Sequence, residues 1–151
     1  MRKSIAILSA ALALTLVSQA EASNCELNDL KGTYAVTGSV TLPPPGSPLP
    51  YTLGTAVPVS FQNITTFDKM GNLVTPKESS STGGLIEQGV TGEGTYTINA
   101  DCTGTLTVTS HHVQGDRTLH ADMIVLDNGR RFTFIITDTG VTGSGTGERI
   151  R

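Results

Sequence analysis

Between Gly32 and Leu42 the chain reads G-T-Y-A-V-T-G-S-V-T-L, which sets Tyr34, Val36, Val40 and Leu42 on one side and threonine and serine on the other. Alternation with a period of two predicts a strand with one buried face. Strand-like sequence returns from Tyr51 to Phe67, where Pro58 points to an edge position or a bulge. Asp68 to Asn72 has the composition of a hairpin turn with Gly71 in the left-handed position. Residues 43–50, P-P-P-G-S-P-L-P, offer too few backbone donors for a sheet and read as a stiff, extended connector. From Leu73 to Gly89 the chain is polar and weakly patterned, so strand boundaries cannot be drawn, and Ser79 to Gly84 reads as a loop or a frayed strand end.

From Gly92 the pattern sharpens into three consecutive hairpins, each with a register that follows from its turn. Gln114-Gly115-Asp116-Arg117, with Gly at the first central position, predicts a type II′ turn that sets Val108 opposite Met123 and Leu106 opposite Val125. Asp127-Asn128-Gly129-Arg130 is a strong hairpin signal and sets Phe132 opposite Val125, Phe134 opposite Met123 and Ile136 opposite Ala121. Thr139-Gly140 then places Ile136, Phe134 and Phe132 opposite Gly143, Gly145 and Gly147, an arrangement in which large side chains cover strand glycines. All three registers put the same apolar set on one face, and a one-residue slip in any of them would break that agreement.

Counting the earlier segments gives an all-β chain of about eight antiparallel strands in an up-and-down meander. A sheet of that size removes its edges by closing into a barrel, with a β-sandwich as the alternative. Ahead of it, Arg2 and Lys3, the apolar run Ile5 to Val17 and Ala20-Glu21-Ala22 follow the order of a secretory signal peptide over residues 1–22. That leaves residues 23–151 as a single domain, expected to be secreted or periplasmic. The apolar run is about 13 residues, short of the roughly 20 that span a bilayer, so no membrane span is expected in the mature chain.

Charge narrows the partners. Without residues 1–22 there remain eight Lys and Arg against twelve Asp and Glu, and only Arg130 and Arg131 are adjacent. A phosphate backbone requires a clustered basic stripe, so nucleic acid is not an expected partner. Cys25 and Cys102 form an even pair in an exported chain and are expected to be disulfide-bonded, since neither lies in a C-x-x-C motif or close in sequence to a histidine.

The segments L-K-G-T-Y-A-V-T-G (30–38), F-D-K-M-G-N-L (67–73), G-T-Y-T-I-N-A-D-C-T-G-T-L-T-V-T (94–109) and D-N-G-R-R-F-T-F-I-I-T-D (127–138) resemble small secreted bacterial proteins of unassigned function. The resemblance implies the lipocalin-like barrel of allene oxide cyclase. It carries turn and strand signatures and no catalytic residue of the cyclases. Lipocalins proper have a G-x-W near the first strand, where this chain has Gly32-Thr33-Tyr34.

Candidate chemistry is sparse. No G-x-S-x-G, H-E-x-x-H or P-loop pattern is present, and Asp68, Asp101, Asp116, Asp127 and Asp138 fall at turns, where aspartate bonds the local backbone. In the expected register His111 stands opposite His120 with Asp122 on the diagonal, an outward constellation able to hold a divalent metal or to remain a solvated pair. His112 points inward near a strand end. The leading expectation is an exported, non-catalytic binding or interaction module, without a cofactor, whose partner is a small apolar ligand or an envelope protein. Its ligand would lie among Tyr34, Tyr96, His112, Met123, Phe132 and Phe134, residues equally able to fill a solid core. An isomerase or cyclase with its active site inside the barrel, and a cell-envelope interaction or structural protein, are the alternatives.

Overall fold

The computed structural model describes residues 24–43 and 56–151; the expected signal peptide and most of the proline-rich connector lie outside the described residues. After a short 3-10 helix, Leu27–Leu30, eight strands follow: β1 (Gly32–Leu42), β2 (Val57–Phe67), β3 (Asn72–Thr82), β4 (Leu85–Ile98), β5 (Thr103–His112), β6 (Gly115–Leu126), β7 (Arg131–Ile136) and β8 (Thr142–Arg149). Each is antiparallel to the next, and β8 returns to pair with β1, closing the barrel. β1 has the expected limits and buries the expected face. The two later registers also stand as read from their turns: Phe132 lies opposite Val125 and Gly147, and Phe134 opposite Met123 and Gly145.

The β5–β6 register differs. The turn falls on Val113-Gln114, with His112 opposite Gly115, so Leu106 faces Ala121 rather than Val125 and Val108 faces Leu119 rather than Met123. Each partner moves by four residues, an even number. The same side chains therefore still face inward, and alternation cannot tell the two registers apart. Outside the barrel the observed register sets Thr109 and Thr118 within hydrogen-bonding distance, 2.8 Å, and His111 opposite Asp116. Two further expectations are corrected. Residues 79–82 belong to β3, and Pro58 sits second in β2 opposite Thr41, at a strand end that tolerates a missing donor.

One end of the barrel is sealed. Tyr34, Phe67, Tyr96 and Phe132 meet edge to face with ring centroids 5.1 to 5.5 Å apart, a geometry favoured by the ring quadrupoles. The 3-10 helix closes over them and buries Leu30 completely. The phenol of Tyr34 donates to Gly129 O and accepts from Arg149 Nε (3.0 Å) and Nη2 (2.8 Å), while Arg149 Nη2 also donates to Asp29 O. The Tyr96 hydroxyl is directed at the carbonyls of Leu27 and Asp68. Burial, and then the charge of Asp68, pushes the Tyr96 phenol up to about 12, so it remains a donor throughout the physiological range. Cys25 and Cys102 are joined by a disulfide across a sequence separation of 77, tying the lead segment to the β4–β5 turn at this end.

Two stability predictions follow from the ring-over-glycine contacts and the disulfide. A Cβ at Gly147 would lie 2.1 Å from Phe132 Cε1, with the ring held by the floor cluster. Gly147→Ala should therefore cost about 1–3 kcal/mol in urea unfolding, and pairing it with Phe132→Leu should be less than additive. Replacing both cysteines by serine should lower stability by about 4 kcal/mol on the chain-entropy estimate. Amide exchange should then quicken first over residues 25–31, and an unchanged melting temperature would contradict this account.

Candidate functional site

The opposite end differs in chemistry. Beneath its rim lies a cavity of about 90 Å³, whose walls include Val36, Val40, Val59, Phe61, Val108, Leu119, Phe132 and Phe134. Phe61 and Phe134 stack with centroids 6.4 Å apart on its side. A more open depression of about 300 Å³ on the rim shares Leu42, Arg117 and Leu119 with the cavity.

Polar groups enter this interior from a defined set of strands. In β3, Pro76 and Lys77 are both exposed and the ladder to β4 slips between Thr75 and Glu78. This bulge shifts the inward phase, so Thr75, Glu78 and Ser80 are buried, whereas strict alternation would have turned Glu78 outward. Gly89 in β4, at φ 77, accompanies a second break: Gln88 and Gly89 are both exposed, and Glu87 takes a partly buried position at the rim. From β2, Asn63 donates to Glu78 Oε2 at 3.2 Å, Thr65 donates to Asn63 Oδ1 at 2.9 Å, and the hydroxyls of Thr65 and Thr75 lie 2.7 Å apart.

His112 closes the cluster from β5. Its Nδ1 lies 2.9 Å from Glu87 Oε2, and the other oxygen of Glu87 accepts from Val113 N at 2.8 Å. Those bonds, the backbone one foremost, hold the Glu87 carboxyl below its usual range. Glu78 moves the other way: burial raises its pKa, opposed by the Asn63 hydrogen bond and by the nearby His112 and Arg117. Arg117, on the inward face of β6 opposite Ser110, lines both the cavity and the rim depression.

The six expected ligand-lining residues divide. His112, Phe132 and Phe134 line the cavity, whereas Tyr34, Tyr96 and Met123 belong to the packed interior and floor. The expected metal constellation is not brought together. His111 lies opposite Asp116, with Nδ1 2.9 Å from Asp116 Oδ1 and Nε2 3.1 Å from Glu93 Oε2. His120 lies opposite Thr107 and pairs with Asp138 at 2.7 Å, while Asp122 lies opposite Thr105. The four-residue change of partner separates the two imidazoles, and among the described residues no group of three His, Cys, Asp or Glu could hold a metal ion. Asp116 and Glu93 raise the pKa of His111, as surface carboxylates beside an imidazole do. Burial works against the ionised form of Asp138, but hydrogen bonds from the His120 backbone and ring hold it below its usual range.

The interior polar residues Asn63, Glu78, Glu87 and Arg117 escaped the reading of the sequence. Pro76 within a strand and Gly89 after Glu87-Gln88 were the available signals, because each marks a bulge that reverses which residues face in. Comparison with protein-family models, with curated proteins and with solved structures finds no match. Of the resemblance drawn above, the structure supports the eight-stranded antiparallel barrel.

Glu78 supplies a pH prediction. Its folded pKa lies above the unfolded value, so the native state binds more protons between the two, and its contribution to stability falls as pH rises through that window. Glu78→Gln keeps an acceptor for Asn63 and removes the buried charge. The variant should therefore melt higher than wild type at pH 7 and gain little at pH 4, as scanning calorimetry at the two pH values would show. Equal gains at both would contradict the assignment.

Proposed function

We propose that this chain is a non-catalytic binding module that takes a small amphipathic molecule through the rim of its barrel. The observation that supports this reading most directly is the division of the interior: a sealed aromatic floor, an apolar cavity above it, and hydrogen-bonding groups concentrated at the mouth. Small-molecule sites combine apolar walls with a few placed polar groups in this way. The cavity, about 90 Å³, is small beside the roughly 150 Å³ that accepts benzene. Only a short alkyl or similar group would enter it, with the remainder of the molecule in the rim depression.

The second reading is an isomerase or cyclase working inside the barrel. It is favoured by one observation, a buried carboxyl whose pKa is raised lining the same cavity as His112. Binding is preferred because Glu87 and His112 satisfy each other, which leaves neither poised to exchange a proton with a guest. Both readings place the protein outside the cytoplasm, where a disulfide persists. Among the described residues no helix is long and apolar enough to cross a membrane.

A series of normal alcohols from propanol to octanol tests the binding reading by calorimetry or chemical-shift titration. Affinity should rise roughly fourfold per carbon while methylenes enter the cavity, the equivalent of about 0.8 kcal/mol each. It should then level off once the tail meets the Phe132 ring. Failure of every alcohol, and of an apolar fluorescent probe, to bind would sink the proposal.

A further inference from the structure

We propose that the ligand is a monocarboxylate whose anionic head is held by Arg117, with its hydrocarbon end directed into the cavity. This rests on the binding reading above and names the chemical class that the mouth selects.

The argument is one of satisfied and unsatisfied groups. Glu87 is committed, with Oε2 engaged by His112 and Oε1 by Val113 N. Glu78 is buried and accepts from Asn63, whose own carbonyl accepts from Thr65. His112 is largely enclosed and bonded through Nδ1 to Glu87. Arg117 differs from all of these. It is close enough to Glu78 and Glu87 for its charge to favour their ionised forms, yet among the described residues its guanidinium makes no hydrogen bond or ion pair.

A guanidinium presents five N–H donors in a planar fork and does not lose its charge. Partly buried beside apolar walls, it is stabilised most by an anion that accepts two parallel hydrogen bonds, as a carboxylate does. A cationic head is disfavoured at the same place, because Arg117 repels it and Glu87 at the rim already has both oxygens engaged. The apolar requirement is separate. Val40, Phe61, Val108 and Phe134 line the space below, so a small inorganic anion would leave the cavity unfilled.

Position reinforces chemistry. Arg117 lines both the enclosed cavity and the open rim depression, along with Leu42 and Leu119. A head group there leaves its first carbons beside those two leucines and its far end inside.

The test compares hexanoate with hexanol at pH 7, by chemical-shift titration of the disulfide-bonded protein and of Arg117→Met and Arg117→Lys. Hexanoate should bind wild type at least tenfold more tightly than hexanol. Arg117→Met, which keeps the apolar stem, should weaken hexanoate at least tenfold more than it weakens hexanol and so remove that preference, and Arg117→Lys should retain part of it. Hexanol binding as tightly as hexanoate, or hexanoate binding unaffected by Arg117→Met, would overturn the carboxylate assignment while leaving the binding barrel intact. If neither compound binds wild type, the binding reading itself fails and this inference with it. The wild-type comparison of acid with alcohol does not depend on the variants' folding, which their amide spectra report separately.

Discussion

Closure of the sheet is the constraint on which the rest depends, and it turns on the fit between two phenylalanines and two glycines. Phe132 and Phe134 on β7 lie against Gly147 and Gly145 on β8, the strand that also pairs with β1. A side chain at either glycine would contest the volume taken by the rings. Because the last strand is nearly bare on its inner side, large rings reach the axis while β8 stays close enough to complete the ladder. Without that closure β1 and β8 would be edges, and neither a floor nor a cavity would exist.

Given a closed barrel, the two ends are built on opposite principles. At the sealed end the two buried phenols are matched: Tyr34 by Gly129 and Arg149, Tyr96 by the carbonyls of Leu27 and Asp68. Apolar burial there, at about 1.5–3 kcal/mol for each large side chain, supplies stability. At the other end a carboxyl is carried inside at a desolvation cost, and Ser80 Oγ is buried without a hydrogen-bond partner among the described residues. Stability is thus concentrated at the floor and spent at the mouth, the division expected where a scaffold supports a site.

Much of this architecture was legible in the residues. The limits and buried face of β1, the Gly71 turn, the registers of β6 with β7 and β7 with β8, and the cysteine pairing all follow from alternation, turn chemistry and cysteine count. Those signals are local, and each has one dominant physical cause. Residues 73–92 resisted because the inner face there is polar and because bulges at Pro76-Lys77 and around Gly89 change the phase of alternation within a strand. A reading based on hydrophobic period has nothing to follow where the buried positions are Thr75, Glu78 and Ser80.

The β5–β6 hairpin shows a subtler limit, with consequences for the site. The sequence pattern puts Gly115 at the centre of the turn, whereas it is the first residue of β6, at φ 114, with the turn made by Val113 and Gln114. Both registers keep the same faces, so agreement among buried positions supported the wrong one as strongly as the right one. What distinguishes them is position along the barrel. With the turn on Gly115 and Asp116, Arg117 would flank the loop. With the turn two residues earlier, it stands inside the strand opposite Ser110, facing the cavity. The same shift removes His120 from His111 and dissolves the expected metal pair. A change of register invisible to hydrophobic patterning thus moves the candidate chemistry from imidazoles on the outer surface to a guanidinium at the mouth.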